Sequence, residues 1–277
     1  AQEAGGRIYC GVMSGLANGT HIFIFFAGLD GTGHHFFTNV LPRCPYCRDA
    51  PELRKSFMPW WFANHSPQEK LMWHKRITNM LWQRTQGAQE QPFTIWCLNV
   101  MAEDITGMLS YPNAANARFM PRVDWLARAA QDANVRLYVI NLLRDAVSLE
   151  ASVRSRFQKN YAVRWGSVDA EHPVAAAMHA QAVALSSQIG TLLREQLMCL
   201  DYDTLPRGAA VLDRILCRHV PCTDWSFSSA AIAVFRPSRS VQSVADSLFP
   251  PSHLLPLQKA NQLLIHTCKA KAGRNRV

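Results

Sequence analysis

Continuous apolar runs alternate along the chain with segments in which apolar residues recur at helical spacing. The segments that predict strands are the unbroken run Ile22–Ala27 and the predominantly apolar segments Phe93–Val100 and Val135–Leu143. An unbroken run of this length is typical of a strand buried on both faces, because a strand that faces water on one side alternates apolar and polar residues. Strands that alternate with helices predict a parallel sheet with right-handed crossovers. The pattern predicts an α/β fold, in which an open parallel sheet is flanked by helices.

The remaining elements follow from spacing and from helix start signals. The first strand is expected at about His21–Ala27 and a short fourth strand with a turn within Cys199–Leu205. Pro42–Arg48 is expected to be a turn, and 1–20 and 269–277 are expected to be irregular. Neither an internal repeat nor a long linker separates these elements, so a single domain is predicted over 1–277. Helices are predicted at His34–Leu41, from Pro67 onward, and at Pro121–Ala133, Arg144–Asn160, Glu171–Met198, Pro206–His219, Ser240–Leu248 and Ser252–His266. In the helix that begins at Pro67, the apolar positions are Leu71, Trp73, Ile77, Met80 and Leu81.

A glycine-rich turn joins the first strand to the first helix. Glycines let backbone N–H groups approach an anion closely, and the helix N-terminus adds a positive dipole end, so the turn predicts a phosphate site. The spacing fits G-x-x-x-x-G-K-[ST], but His34 and His35 occupy the positions of the lysine and the hydroxyl residue, which argues against ordinary phosphoryl transfer. The candidate phosphate-binding residues are Gly28, Asp30, Gly31, Thr32, Gly33, His34 and His35.

A second candidate anion site follows the third apolar run. Arg144 directly follows Val135–Leu143, and Ser152 lies eight residues further along, two turns into the predicted helix. A guanidinium and a hydroxyl at this place are suited to a phosphate group.

Together, the loop at Gly28–His35 and the segment VINLLRDAVSLEAS resemble the two nucleotide-binding motifs of the sulfotransferase family. The resemblance implies a P-loop NTPase-like sulfotransferase fold that binds 3′-phosphoadenosine 5′-phosphosulfate. The loop would hold the 5′-phosphosulfate, and Arg144 with Ser152 would hold the 3′-phosphate. CLDYDTL, which begins at Cys199, is similar to the family's short strand after a long helix. The implied activity is transfer of a sulfuryl group to an acceptor hydroxyl, of a carbohydrate or another glycan, without a metal.

The loop departs from the family in one respect that bears on catalysis. The family carries Lys or Arg near the position of Gly31, and this chain has neither there. His34 or His35 would then donate hydrogen bonds to the leaving phosphate. Glu103 is favoured as the base, because it follows Phe93–Val100 and ligands bind beyond the carboxyl ends of strands in open α/β sheets. Glu52, Asp104 and His65 stay open as alternative bases.

Two other functions stay open. The missing Lys or Arg favours a degenerate sulfotransferase-like subunit without catalytic activity. The loop GLDGTG also resembles that of thymidylate-type kinases, so a P-loop nucleotide kinase is the second alternative, with magnesium-dependent ATP binding as its test.

Charge and cysteine content bear on partners and compartment. The net charge of +9 favours anionic ligands such as a phosphorylated nucleotide or an anionic acceptor, and no nucleic-acid signature accompanies it. The sequons Asn18-Gly19-Thr20 and Asn64-His65-Ser66 favour the secretory route and the Golgi lumen over the cytoplasm or an organelle. Because the chain begins AQEAGG, a processed form is expected, with any membrane anchor outside this chain. Membership of an oligomer or larger assembly stays open.

The chain has eight cysteines. Cys97 and Cys199 lie in apolar runs and are expected to be buried thiols. In an oxidising compartment at least one disulfide is expected, and the nearest pairs in the sequence are Cys44–Cys47 and Cys217–Cys222. The same four residues are a loose match to a zinc site, for which the spacing of the second pair is too wide.

Overall fold

The computed structural model of the protein describes 20–29, 32, 36, 40, 47–48, 67–86, 93–99, 123–149, 173–205, 209–217, 226, 229 and 251–272. Within these residues five strands form one parallel sheet, and the predicted α/β class is confirmed. The strands are β1 Thr20–Gly28, β2 Cys47–Arg48, β3 Phe93–Asn99, β4 Val135–Leu143 and β5 Leu197–Asp201. The helices are α1 Pro67–Gln86, α2 Val123–Asp132, α3 Pro173–Thr191, α4 Ala210–Cys217 and α5 Pro251–Ala272. Short 3₁₀ turns cover Arg194–Gln196 and Tyr202–Thr204.

The central strand β1 is buried on both faces, as its continuous apolar run predicts. The strand order is β2-β3-β1-β4-β5, so β1 lies between β3 and β4. Phe23 and Phe25 belong to the hydrophobic core that α1, α2, α3 and α5 build on one face of the sheet. Ile24 and Phe26 point to the other face and are also completely buried. The burial of both faces explains why apolar residues are required at every position from Ile22 to Ala27.

Helices α1, α2, α3 and α5 form one layer. Contacts join α1 to α2, α2 to α3 and α3 to α5. The N–H of Val123, at the start of α2, donates to Oε1 of the buried Gln188 on α3. Between α2 and β4 the chain turns at Asn134, whose φ of 55° is in the left-handed region that asparagine tolerates. After this turn the chain enters β4, which pairs with β1.

Three sequence predictions are corrected at element boundaries. The helix expected to reach Met198 ends at Thr191, and Leu197–Asp201 pairs with β4 instead. Leucine, glutamate and glutamine favour a helix locally, but tertiary pairing with β4 overrides that preference. The segment Pro42–Arg48, expected to be a turn, contributes the two residues of β2, which pair with β3. The basic tail expected to fray from Lys269 is helical to Ala272, whose carbonyl accepts a hydrogen bond from Nε of Arg194 at 3.4 Å.

The apolar positions predicted for α1 are confirmed in part. Ile77 and Leu81 are completely buried, whereas Leu71 is 54% exposed, so it is not a core residue. In the first predicted helix, Phe36 and Val40 are helical and buried. The helix predicted at Ser240–Leu248 and the side chains of Trp73 and Met80 lie outside the described residues.

The pairing of Cys199 corrects a further prediction. Cys199 on β5 forms a disulfide with Cys268 on α5, with the two Cα atoms 6.0 Å apart. It is therefore not a free thiol. The sequence could not predict this partner, because the two cysteines lie 69 residues apart and meet only when α5 packs on the edge of the sheet. The predicted pairs Cys44–Cys47 and Cys217–Cys222 and the side chain of Cys97 lie outside the described residues.

Candidate functional site at the carboxyl ends of β1 and β4

The candidate site lies where the chain leaves β1 and β4. Gly28, the last residue of β1, pairs with Leu142 on β4, so the two strands end side by side. The connection from β1 runs toward the β2 edge of the sheet, and the connection from β4 runs toward the β5 edge. Connections that leave neighbouring strands in opposite directions mark a switch point in the strand order. In open α/β sheets this is the position at which ligands bind.

Gly28 is required by the close approach of β1 to β4 at this edge. Its φ is +156°, and a Cβ placed on it would lie 2.9 Å from the carbonyl oxygen of Leu142 and 2.5 Å from Oγ1 of Thr32. Thr32 closes the start of the loop, since its N–H donates to the carbonyl of Leu29 at 3.1 Å and its hydroxyl donates to the same carbonyl at 2.6 Å. The predicted site residues Gly28 and Thr32 therefore form a tight turn at the end of β1.

Arg144 is the cation at this edge. It follows β4 directly, and it is 8% exposed. Its guanidinium carbon lies 4.7 Å above the ring centroid of Tyr202, which follows β5. Its carbonyl accepts a hydrogen bond of 2.8 Å from Nδ2 of Asn261, a buried residue of α5. The predicted position of Arg144 at the end of a strand is confirmed, and the structure fixes both its main chain and its side chain.

The helical turn after Arg144 has its first amides occupied. Oδ1 of Asp145 accepts hydrogen bonds from the N–H groups of Val147 at 3.0 Å and Ser148 at 2.9 Å. Asp145 thus acts as the N-cap of this turn. Because the carboxylate occupies these donors, an anion at this end of β4 would be held by the guanidinium of Arg144 rather than by this helix terminus.

Asn141 is a polar residue that sequence reasoning missed. It lies on β4 between Ala27 and Cys199 in the register, and it is completely buried. Asn141 lies on the same face of β4 as Val139 and Leu143. Its side chain therefore points to the face that the helices cover, opposite to the side chain of Arg144. Neither its amide nitrogen nor its amide oxygen has a hydrogen-bond partner among the described residues.

Replacing Asn141 by leucine is expected to stabilise the protein. A buried polar group without a partner costs about 1–3 kcal/mol, and an apolar side chain of the same shape removes that cost. We therefore expect the free energy of unfolding in urea to rise for Asn141→Leu. The matched control is Asn261→Leu, which deprives the carbonyl of Arg144 of its donor and should lower the same quantity by about 1–3 kcal/mol. A lower stability of Asn141→Leu would show that an internal water or another group satisfies the amide.

The structure leaves part of the predicted site undescribed. The predicted loop residues Asp30, Gly31, Gly33, His34 and His35, the partner Ser152, and the base candidates Glu52, His65, Glu103 and Asp104 lie outside the described residues. Besides Asn141, sequence reasoning missed three contributors: Tyr202, Asn261 and Phe36, whose ring meets that of Tyr202 edge to face. A signal existed for Tyr202, because it follows the end of β5 as Arg144 follows β4. None existed for Asn261, whose role depends on how α5 packs.

The described part of the chain contains neither a metal-binding cluster nor a helix that could span a membrane. No group of three or more His, Cys, Asp or Glu side chains is placed there to hold a metal ion. None of the helices described is both long and apolar enough to cross a membrane. Compared with known proteins, the chain matches no family model and no curated sequence.

Proposed function

We propose that the chain binds 3′-phosphoadenosine 5′-phosphosulfate and transfers its sulfuryl group to an acceptor hydroxyl. The observation that carries the proposal is the pairing of β1 with β4, which brings the glycine turn at Gly28 next to Arg144. Adjacent strands are about 4.8 Å apart, so the two candidate anion sites predicted from the sequence follow neighbouring strands at the carboxyl end of the sheet. A nucleotide with phosphates at both ends of its ribose suits two neighbouring anion sites better than a ligand with a single phosphate.

The chain's own residues are assigned as follows. Glu103 would take the proton of the acceptor hydroxyl as its oxygen forms a bond to sulfur. As the bond from sulfur to the 5′-phosphate oxygen breaks, the electron pair would pass to that phosphate. The loop amides and His34 or His35 would then donate hydrogen bonds to the leaving oxygen. Arg144 and Ser152 would hold the 3′-phosphate throughout, and no magnesium ion is needed to bridge phosphates.

The compartment follows from the cysteines under the same proposal. Disulfides persist in oxidising compartments. The bond between Cys199 and Cys268 supports a protein of the secretory pathway, in which glycan hydroxyls are acceptors. The basic net charge of +9 supports an anionic acceptor.

Arg144→Ala is expected to weaken binding of adenosine 3′,5′-bisphosphate more than binding of adenosine 5′-phosphate. A charge-assisted hydrogen bond contributes about 1.5–3 kcal/mol, which corresponds to a roughly 10- to 150-fold change in the dissociation constant. Calorimetric titration of each variant with both nucleotides measures this difference. Arg136→Ala is the matched control, because Arg136 is an exposed arginine on β4, the strand that Arg144 follows. This substitution should leave both affinities unchanged.

The same titrations decide between the proposal and its alternatives. An equal loss of affinity for both nucleotides in Arg144→Ala would contradict the assignment of Arg144 to the 3′-phosphate. Tight, magnesium-dependent binding of ATP without binding of the bisphosphate would identify a nucleotide kinase instead. Absence of binding at millimolar bisphosphate would favour a structural subunit.

A further inference from the structure

Tyr202 contacts the two segments that the proposed function assigns to the nucleotide. Leu143 pairs with Asp201 across β4 and β5, so Arg144 and Tyr202 are the first residues after two neighbouring strands. Their side chains therefore point to the same face, and the guanidinium carbon lies 4.7 Å from the ring centroid. A cation over an aromatic face is attracted by the ring quadrupole, so this contact holds the guanidinium in one place.

The ring of Tyr202 also reaches the helix that follows the glycine loop. Phe36 meets Tyr202 edge to face, with ring centroids 6.2 Å apart and planes at 88°. Phe36 is 7% exposed and lies four residues after Thr32, whose turn closes on β1. Tyr202 thus lies between Phe36, which follows the glycine loop, and Arg144 at the end of β4.

The main chain of Arg144 is fixed independently. Asn261 donates to the carbonyl of Arg144 at 2.8 Å, and the neighbouring Asp145 caps the following helical turn. The long side chain of an arginine still has several rotatable bonds, and ordering them on ligand binding costs conformational entropy. Stacking on Tyr202 orders the side chain before a ligand arrives, which is the general basis of preorganised binding.

We infer that Tyr202 is a positioning residue that orients Arg144 and thereby sets the preference of the site for nucleotides with a second phosphate. The inference rests on the proposed function. The ring lies against one face of the guanidinium plane, which leaves the N–H groups at the edge of that plane to donate to the phosphate under the proposed function. Without the ring the guanidinium would lose this contact, more of its ordering would fall at the moment of binding, and only ligands that reach Arg144 would lose affinity.

The test compares Tyr202→Phe, which keeps the ring, with Tyr202→Leu, which removes it. Each variant is titrated with adenosine 3′,5′-bisphosphate and with adenosine 5′-phosphate, and the ratio of the two dissociation constants is the readout. Tyr202→Phe should keep the wild-type ratio. Tyr202→Leu should reduce the preference for the bisphosphate by about 3- to 30-fold, which is the range expected for a cation–π contact.

A third variant covers the case in which Tyr202→Leu does not fold. Pentafluorophenylalanine at position 202 keeps the shape of phenylalanine but removes the negative face of the ring. In this variant the preference for the bisphosphate, given by the ratio of the two dissociation constants, should fall below that of Tyr202→Phe at equal thermal stability. An unchanged ratio in the leucine or fluorinated variant, or an equal loss of both ligands, would overturn the inference and leave the proposed function standing. A wild-type protein that does not bind the bisphosphate would overturn the proposed function and this inference with it.

Discussion

A double variant with alanine at Cys199 and Cys268 is expected to lose about 2–5 kcal/mol of its free energy of unfolding, the range measured for the loss of native disulfides. The two residues are 69 positions apart, and a cross-link of that span restricts the unfolded chain strongly. In the chain-entropy model the restriction amounts to about 4 kcal/mol. Since the bond also fastens α5 to β5, its loss should loosen the helix that carries Asn261 and thereby the support of Arg144.

Urea unfolding with and without a reducing agent measures this effect. Without reductant the wild-type protein should unfold at a higher urea concentration than the double variant. Reductant should lower the wild-type midpoint by more than that of the double variant, since only the wild-type protein has the bond between Cys199 and Cys268 to lose. A wild-type midpoint that reductant leaves unchanged would show that the two cysteines are not linked. The expectation for the secretory pathway would then lose its structural support.

Gly28→Ala is expected to destabilise the protein and to abolish nucleotide binding. The added Cβ would lie 2.9 Å from the carbonyl oxygen of Leu142, a main-chain atom held in the β1–β4 ladder, so the strand itself must shift. Overpacking and backbone strain each cost about 1–3 kcal/mol, and together they should lower the free energy of unfolding by about 2–5 kcal/mol. Chemical denaturation and bisphosphate titration of the variant measure the two effects.

The chain offers a matched glycine for comparison. Gly190 lies in α3, and a Cβ there would meet only the methyl group of Thr267, at 3.9 Å. Gly190→Ala should therefore stabilise the protein by about 0.4–1 kcal/mol, because alanine restricts the unfolded chain and favours the helix. Similar stability of the two variants would contradict the close approach of β1 to β4 at Gly28.

The sequence alone predicted much of the sheet and half of the described site. Strands β1, β3 and β4 follow from predominantly apolar segments, and in β1 burial on both faces requires an apolar residue at each position from Ile22 to Ala27. The two-residue strand β2 carries no periodic pattern, and the start of β5 was hidden by residues that favour a helix. Gly28 and Arg144 could be identified because each ends a strand, and strand ends are visible in the sequence.

Contacts between distant segments were decided only by the tertiary structure. Arg144 and Asn261 are 117 residues apart, and their hydrogen bond exists because α5 packs against β5, the neighbour of β4. Tyr202 reaches Arg144 because β5 is the neighbour of β4, which depends on strand order and not on any local pattern. The partner of Cys199 was decided in the same way. Local burial requirements are written into consecutive residues, whereas order, register and pairing arise from the packing of the whole chain.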